Sequence, residues 1–183
     1  MQPTLQMRDV WTVADLEALD VEDWRRYEIV DGSLLVSPSP DRLHEFVGAQ
    51  VRAALQAALP PGLLVLGPLG VRIGASYLIP DLVVAERAAM RLTGPLAPAE
   101  VFVAIEVVSP GSITTDRVLK PAKYAATGIG HFWRVETDPA GVTVYELPAG
   151  GDTYREVGTW TPGQVARIER PFEVTVDLRT LVP

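Results

Sequence analysis

The stretch VFVAIEVV, residues 101–108, most narrows what this chain can fold into. Seven strand-type apolar residues run together without alternation, the pattern of a strand covered on both faces and so of a layered α/β arrangement. The exception is Glu106. An ionised carboxylate left alone in an apolar interior is penalised by several kcal/mol unless its pKa shifts until it neutralises, so Glu106 needs water, a hydrogen-bonding partner or a metal. Pro110 cannot donate to a sheet ladder, and the strand is expected to stop before it.

The chain, at 183 residues, suits one domain spanning 1–183 that buries roughly 70% of the surface its unfolded form exposes. Within it we expect an N-terminal helix and hairpin over 1–40, a core over 41–136 and a β-rich part over 137–183. A 48% hydrophobic content excludes a disordered chain, and the absence of cysteine excludes disulfides, zinc–thiolate sites and thiol nucleophiles. The start, MQPTLQMRDVWTV, lacks the layout of a secretory leader, and no apolar run approaches the ~20 residues of a membrane span, so a soluble, cytoplasmic protein is expected. A net charge of −7 weighs against tight non-specific nucleic-acid binding, although a local basic cleft or a bound divalent metal changes the local sign.

Thr12 to Leu19 reads as a short helix capped by Thr12, and Asp31-Gly32 as the type I′ turn of a hairpin. Leu43, Phe46, Val47, Val51, Leu55 and Leu59 mark one face of a helix from Asp41 to Leu59, which Pro60-Pro61-Gly62 ends. Strands are predicted at 63–66, 70–73 and 78–85, followed by a surface connection to the strand at 101. A helix is expected over 114–127 with Gly128 at its C-cap, either kinked by Pro121 or beginning near it. HFWRVE, VTVYEL, TYREVG, QVARIE and VTVDL read as a β meander, whose aromatic and β-branched residues after Gly141 suit a homodimer interface.

Two strands thus carry an isolated acid, Asp81 and Glu106. Mg²⁺ or Mn²⁺ prefers oxygen ligands and needs only one or two carboxylates, and a nearby lysine can hold water or stabilise charge on a phosphate. No phosphate-binding glycine loop or GxSxG nucleophile motif is present, and His44 and His131 are the only histidines, too few for a His-rich zinc site.

The ordered set YEIVDGSLLVSP, His44, IPD at 79–81 and IEVVSPGSITTDRVLKPAKYAATGIGHFWRVE resembles the Uma-type (Uma two) family, a branch of the restriction-endonuclease-like PD-(D/E)XK superfamily. The resemblance implies a mixed β-sheet flanked by helices. It also implies a Mg²⁺- or Mn²⁺-dependent endonuclease with DNA as partner, metal-binding carboxylates at Asp81 and Glu106, and the carbonyl of Val107 as a further ligand. The superfamily lysine two residues after the acid is Val108 here. The Uma-type branch places it on the following helix, at Lys120, with Lys123 as substitute; Glu28 and His44 match polar positions of the same cleft.

Each of these residues also has a plainer role open to it. Glu106 and Asp81 suit a strand-end acid and a turn residue, Lys120 an exposed helix lysine, His44 a capping residue, and Glu28 a partner of Arg25 or Arg26. Asp116-Arg117 reads as a local ion pair or cap, and Tyr124, Phe132 and Trp133 as core. Two other functions stay open: a catalytically silent binding or assembly module of the same fold, and a hydrolase of a small phosphorylated substrate.

Overall fold

A computed structural model describes residues 8–19 and 25–183. The first seven residues, part of the stretch on which the expectation of no secretory leader rests, lie outside the described residues. A short helix α1 (Val13–Glu17) carries its Thr12 cap, with Asp15 returning the bond to the Thr12 N–H. The hairpin of β1 (Arg26–Val30) and β2 (Ser33–Ser37) follows, and its turn has φ of 48° at Asp31 and 82° at Gly32, the two positive angles a type I′ turn requires. Helix α2 (Arg42–Ala58) begins at Asp41, whose carboxylate accepts the His44 N–H, and buries Val47, Val51 and Leu55. Each of those side chains contributes about 1.5–3 kcal/mol when fully withdrawn from water.

Next come β3 (Leu63–Leu66), β4 (Val71–Ile73), β5 (Ser76–Leu78), β6 (Leu82–Glu86) and β7 (Val101–Val108). After β7 a π turn (Thr115–Leu119) leads directly into α3 (Lys120–Ala126), then β8 (His131–Thr137), β9 (Ala140–Glu146), β10 (Arg155–Trp160), β11 (Val165–Ile168) and β12 (Val174–Asp177). The six-stranded sheet runs β10-β9-β8-β7-β6-β3; β7 and β8 are parallel and the other neighbours antiparallel. A four-stranded sheet runs β2-β1-β5-β4, and β11 pairs with β12 alone. This is a mixed α/β fold with a β-rich C-terminal part.

Strand β7 is interior, as its composition requires. Val103, Ile105 and Val107 pack with α2, β11 and β12 on one face, whereas Ala104 joins Tyr124 of α3 and Leu78 of the small sheet on the other. Alternation therefore sends Glu106 to the face shared by α3 and the small sheet.

Two expectations are corrected and a third is narrowed. The stretch 78–85 is not one strand: β5 belongs to the small sheet and β6 to the large one, with Ile79-Pro80-Asp81 crossing between them. Pro80 has no N–H with which to continue a ladder, so pairing lapses there. The last five strands are not one meander, because only β8, β9 and β10 run consecutively and β11–β12 packs against α2. At Pro121 the second of the two expected forms holds: α3 begins at Lys120 with Pro121 in its first turn, where a missing N–H costs nothing, and the wider turn before it carries the Lys120 N–H back to the Thr115 carbonyl.

Candidate active site

The crossing at Ile79-Pro80-Asp81 builds the site. The last ladder pair between β6 and β7 is Leu82 with Ile105; continuing that register places Pro80 opposite Val107. Proline cannot donate there, and the Asp81 carboxylate takes over by accepting the Val107 N–H at 2.8 Å. The same carboxylate accepts Arg26 Nη1 at 2.7 Å and faces His44 Nε2 at 3.2 Å, joining β1, α2 and β7.

Glu106, fully buried, receives the Tyr124 hydroxyl at 2.6 Å and Lys120 Nζ at 3.1 Å. Lys120 is 2% exposed. Its ammonium also lies 3.2 Å from Glu28, 3.8 Å from Asp116 and donates to the Ile79 carbonyl at 3.2 Å. Glu28 in turn accepts the Ile79 N–H at 2.6 Å, so both backbone groups of Ile79 are held by charged side chains of the site. Gly67 closes the arrangement from behind, since a Cβ there would fall 2.1 Å from the Asp81 carbonyl oxygen.

Burial raises Glu106 well above the usual carboxylate range; Lys120 opposes this, and Asp81, Asp116 and Glu28 add to it. Asp116 is raised for the same first reason, again with Lys120 opposing. Burial also disfavours charge on Asp81, but the His44 hydrogen bond and the Arg26 charge outweigh it and hold Asp81 well below that range. Lys120 loses solvation yet is pushed above the ordinary lysine value by Glu106, Glu28 and Asp116, so it stays protonated. Burial lowers His44, and its bond to Asp81 more than compensates, leaving it raised.

A cavity of about 310 Å³ opens onto Glu28, Asp81, Asp116 and Lys120. On the far side of Asp81, Arg26 and His44, which line both, a second cleft of about 560 Å³ reaches Arg52 and Tyr77.

Asp81, Glu106, Lys120, Glu28 and His44 are therefore gathered, with Val107 contributing its N–H. Lys123 is not: it pairs with Asp31 at 2.7 Å on the surface, away from Glu106. Arg26 and Arg117 take other partners than the sequence suggested. Arg26 bonds Asp81 instead of Glu28, and Arg117 reaches Glu136 at 2.9 Å while Asp116 turns inward to Lys120. Phe132 and Trp133 are core, but the Tyr124 hydroxyl belongs to the site. Asp116 and Arg26 were missed as site residues. The spacing of Asp116 four before Lys120 was the available signal for the first; Arg26 meets Asp81 across 55 positions, with no local signal.

The profile of one family, Uma2, described as "Putative restriction endonuclease", matches residues 13–180. The chain belongs to the Uma2 family. Among solved structures, this Uma2 chain is similar to a "putative nuclease belonging to DUF820" from Anabaena variabilis ATCC 29413, with a TM-score of 0.68 and 16% identity over 93% of this chain and 97% of that one. At that identity the likeness speaks for the fold. No curated protein matches the chain. Among the described residues, no helix is long and apolar enough to cross a membrane.

The donor set of this Uma2 site fits a divalent metal. Asp81, Glu106 and Asp116, all buried, each offer a carboxylate oxygen, and these atoms lie within 4.8 Å of one another. An all-oxygen set of this kind suits Mg²⁺ or Mn²⁺ rather than softer ions.

Proposed function

We propose that this Uma2 protein is a Mg²⁺- or Mn²⁺-dependent endonuclease hydrolysing DNA phosphodiester bonds. One observation carries the reading: three buried carboxylates converge within 4.8 Å beside a buried lysine, two of them, Asp81 and Asp116, lining a cavity with Lys120 while Glu106 lies behind them. Asp81, Glu106 and Asp116 would hold the metal. The Val107 carbonyl joins them, because a strand residue directs its N–H and C=O to the same edge and Pro80 offers that carbonyl no donor. The metal, when bound, lowers the pKa of water and neutralises charge on the phosphate.

The chain's own groups define the rest. Lys120, protonated and fixed by Glu106 and Glu28, acts as a donor to the water or to a phosphate oxygen and not as the base. Glu28 positions Lys120 and the Ile79 backbone. Tyr124 orients Glu106. His44 lines the cavity, with Nε2 facing Asp81 and Nδ1 without a hydrogen-bond partner among the described residues, and is the residue we assign to carrying a proton there.

The second reading is a silent binding module. It is favoured by the saturation of Asp81, whose oxygens already meet Arg26, His44 and Val107. Calorimetry with Mn²⁺ and cleavage of single- and double-stranded DNA separate the two. We expect Mn²⁺ binding that Asp81→Ala abolishes, and cleavage that Asp116→Asn reduces at least tenfold. No cleavage together with no Asp81-dependent heat overturns the nuclease.

A further inference from the structure

The cleft beyond Asp81 is not needed to hold the metal. Arg26, Pro40, His44 and Asp81 line both it and the metal cavity, so a strand whose phosphate sits at the carboxylates has its next sugar and base at this opening. The two sides of the cleft differ chemically. Along α2, His44, Gly48 and Arg52 stand at intervals of four on one face, and Arg52 makes no ion pair among the described residues. Opposite lies Tyr77 of β5, lodged against Gly70 so closely that a Cβ at residue 70 would fall 2.2 Å from the Tyr77 oxygen. Arginines 25, 26 and 52 face Glu45 and Asp81 here, a positive balance in a chain whose net charge is −7.

Gly48 supplies a separate argument. A glycine inside a helix destabilises it by about 1 kcal/mol relative to alanine. Packing does not demand one at this position, because the nearest atom to a built Cβ is the Val107 side chain at 3.9 Å, ordinary contact. What the missing side chain does provide is depth in the cleft.

Resting on the nuclease reading, we propose that this cleft seats one unpaired nucleotide of the strand being cut, its base against Tyr77 and its backbone phosphate at Arg52, so that the substrate is single-stranded or frayed DNA. An unpaired base offers the ring face that stacking needs, whereas a base inside a duplex has both faces covered. Duplex binding relies instead on many phosphate contacts, which an acidic chain is poorly supplied to make. The volume of about 560 Å³ lies in the range that encloses a small organic ligand, roughly 300–1,000 Å³.

The test uses the full chain in EDTA, where no turnover occurs, with a fluorescent twelve-nucleotide single strand, the matching duplex and a deoxynucleoside monophosphate as competitor. We expect the single strand to bind at least tenfold tighter than the duplex, and the monophosphate to compete weakly. Tyr77→Ala should lose about 5- to 150-fold in single-strand affinity, the range for one stacked base. Arg52→Ala should weaken the same binding, with a lower salt dependence. Gly48→Leu should raise the melting temperature while weakening single-strand binding at least tenfold, a split that a purely structural glycine would not produce. Duplex binding as tight as single-strand binding, competition by the monophosphate at equal affinity, or unchanged binding in Gly48→Leu and Arg52→Ala each overturns the proposal. If the strand binds through the cleft and no metal yields cleavage, the cleft stands and the nuclease falls; if duplex is cut equally well by the cleft variants, the reverse holds.

Discussion

Lys120→Met keeps most of the side chain's volume and removes the ammonium lying 3.1 Å from Glu106, 3.2 Å from Glu28 and 3.8 Å from Asp116. These four side chains are at most 6% exposed, so water cannot replace the lost partner without opening the fold. Removing one partner of a buried pair costs about 3–5 kcal/mol, and we expect a loss of that size near pH 8. The carboxylates can relieve it only by taking up protons. Glu106 and Asp116 are already raised by burial against the pull of Lys120, and the substitution raises them further. The folded variant then binds more protons than its unfolded chain, so its stability is retained below the unfolded carboxylate values and falls as pH rises through the folded ones. The gap to the wild type should therefore shrink towards pH 5, by about 1.4 kcal/mol per pH unit for each extra proton held by the folded variant. Urea unfolding followed through the fluorescence of buried Trp133 measures this gap directly. A gap under about 1 kcal/mol at pH 8, the size expected of an exposed pair, or the same gap at both pH values, refutes the account.

Tyr124→Phe removes the 2.6 Å bond to Glu106 and leaves a buried carboxylate oxygen short of a donor, so unfolding experiments should show a loss of about 1–3 kcal/mol. A larger loss of cleavage than of stability is expected, because the hydroxyl also orients a metal ligand. Gly67→Ala forces a Cβ to within 2.1 Å of the Asp81 carbonyl, a backbone clash that cannot be relieved by a side-chain rotation. It should lower the melting temperature and weaken Mn²⁺ binding in calorimetry, whereas unchanged Mn²⁺ affinity would show that Asp81 does not depend on this packing.

Much of this was legible in the chain because local rules decided it. The apolar run at 101–108 could only be an interior strand, the Asp31-Gly32 pair accepts the positive angles of its turn, and the spacing of Val47, Val51 and Leu55 fixes the buried face of α2. Glu106 was also visible, as an acid inside an apolar strand, whereas Asp81 drew notice as the second strand acid and Lys120 only through the resemblance to the Uma-type family. What escaped depends on contacts between distant elements. The break at Pro80 is invisible in apolar content, since Leu78 and Leu82 are both buried, in different sheets. Arg26 reads as a hairpin surface residue until β1 is brought beside Asp81. Asp116 and Arg117 are adjacent in sequence, yet a helical turn sends one to Lys120 and the other to Glu136.

The crossing peptide at Ile79 bears on when the site can exist at all. Its N–H is held by β1, its carbonyl by α3, and the aspartate two residues on by α2 and β7. Synthesis delivers these pieces in order, and Lys120 and Tyr124 come last among them. A nascent chain that has not yet released α3 contains Glu28, Asp81 and Glu106, and Arg26 for Asp81, but lacks the ammonium of Lys120 that Glu28 and Glu106 share. Whatever chemistry the site performs, the growing polypeptide cannot complete it before α3 has emerged.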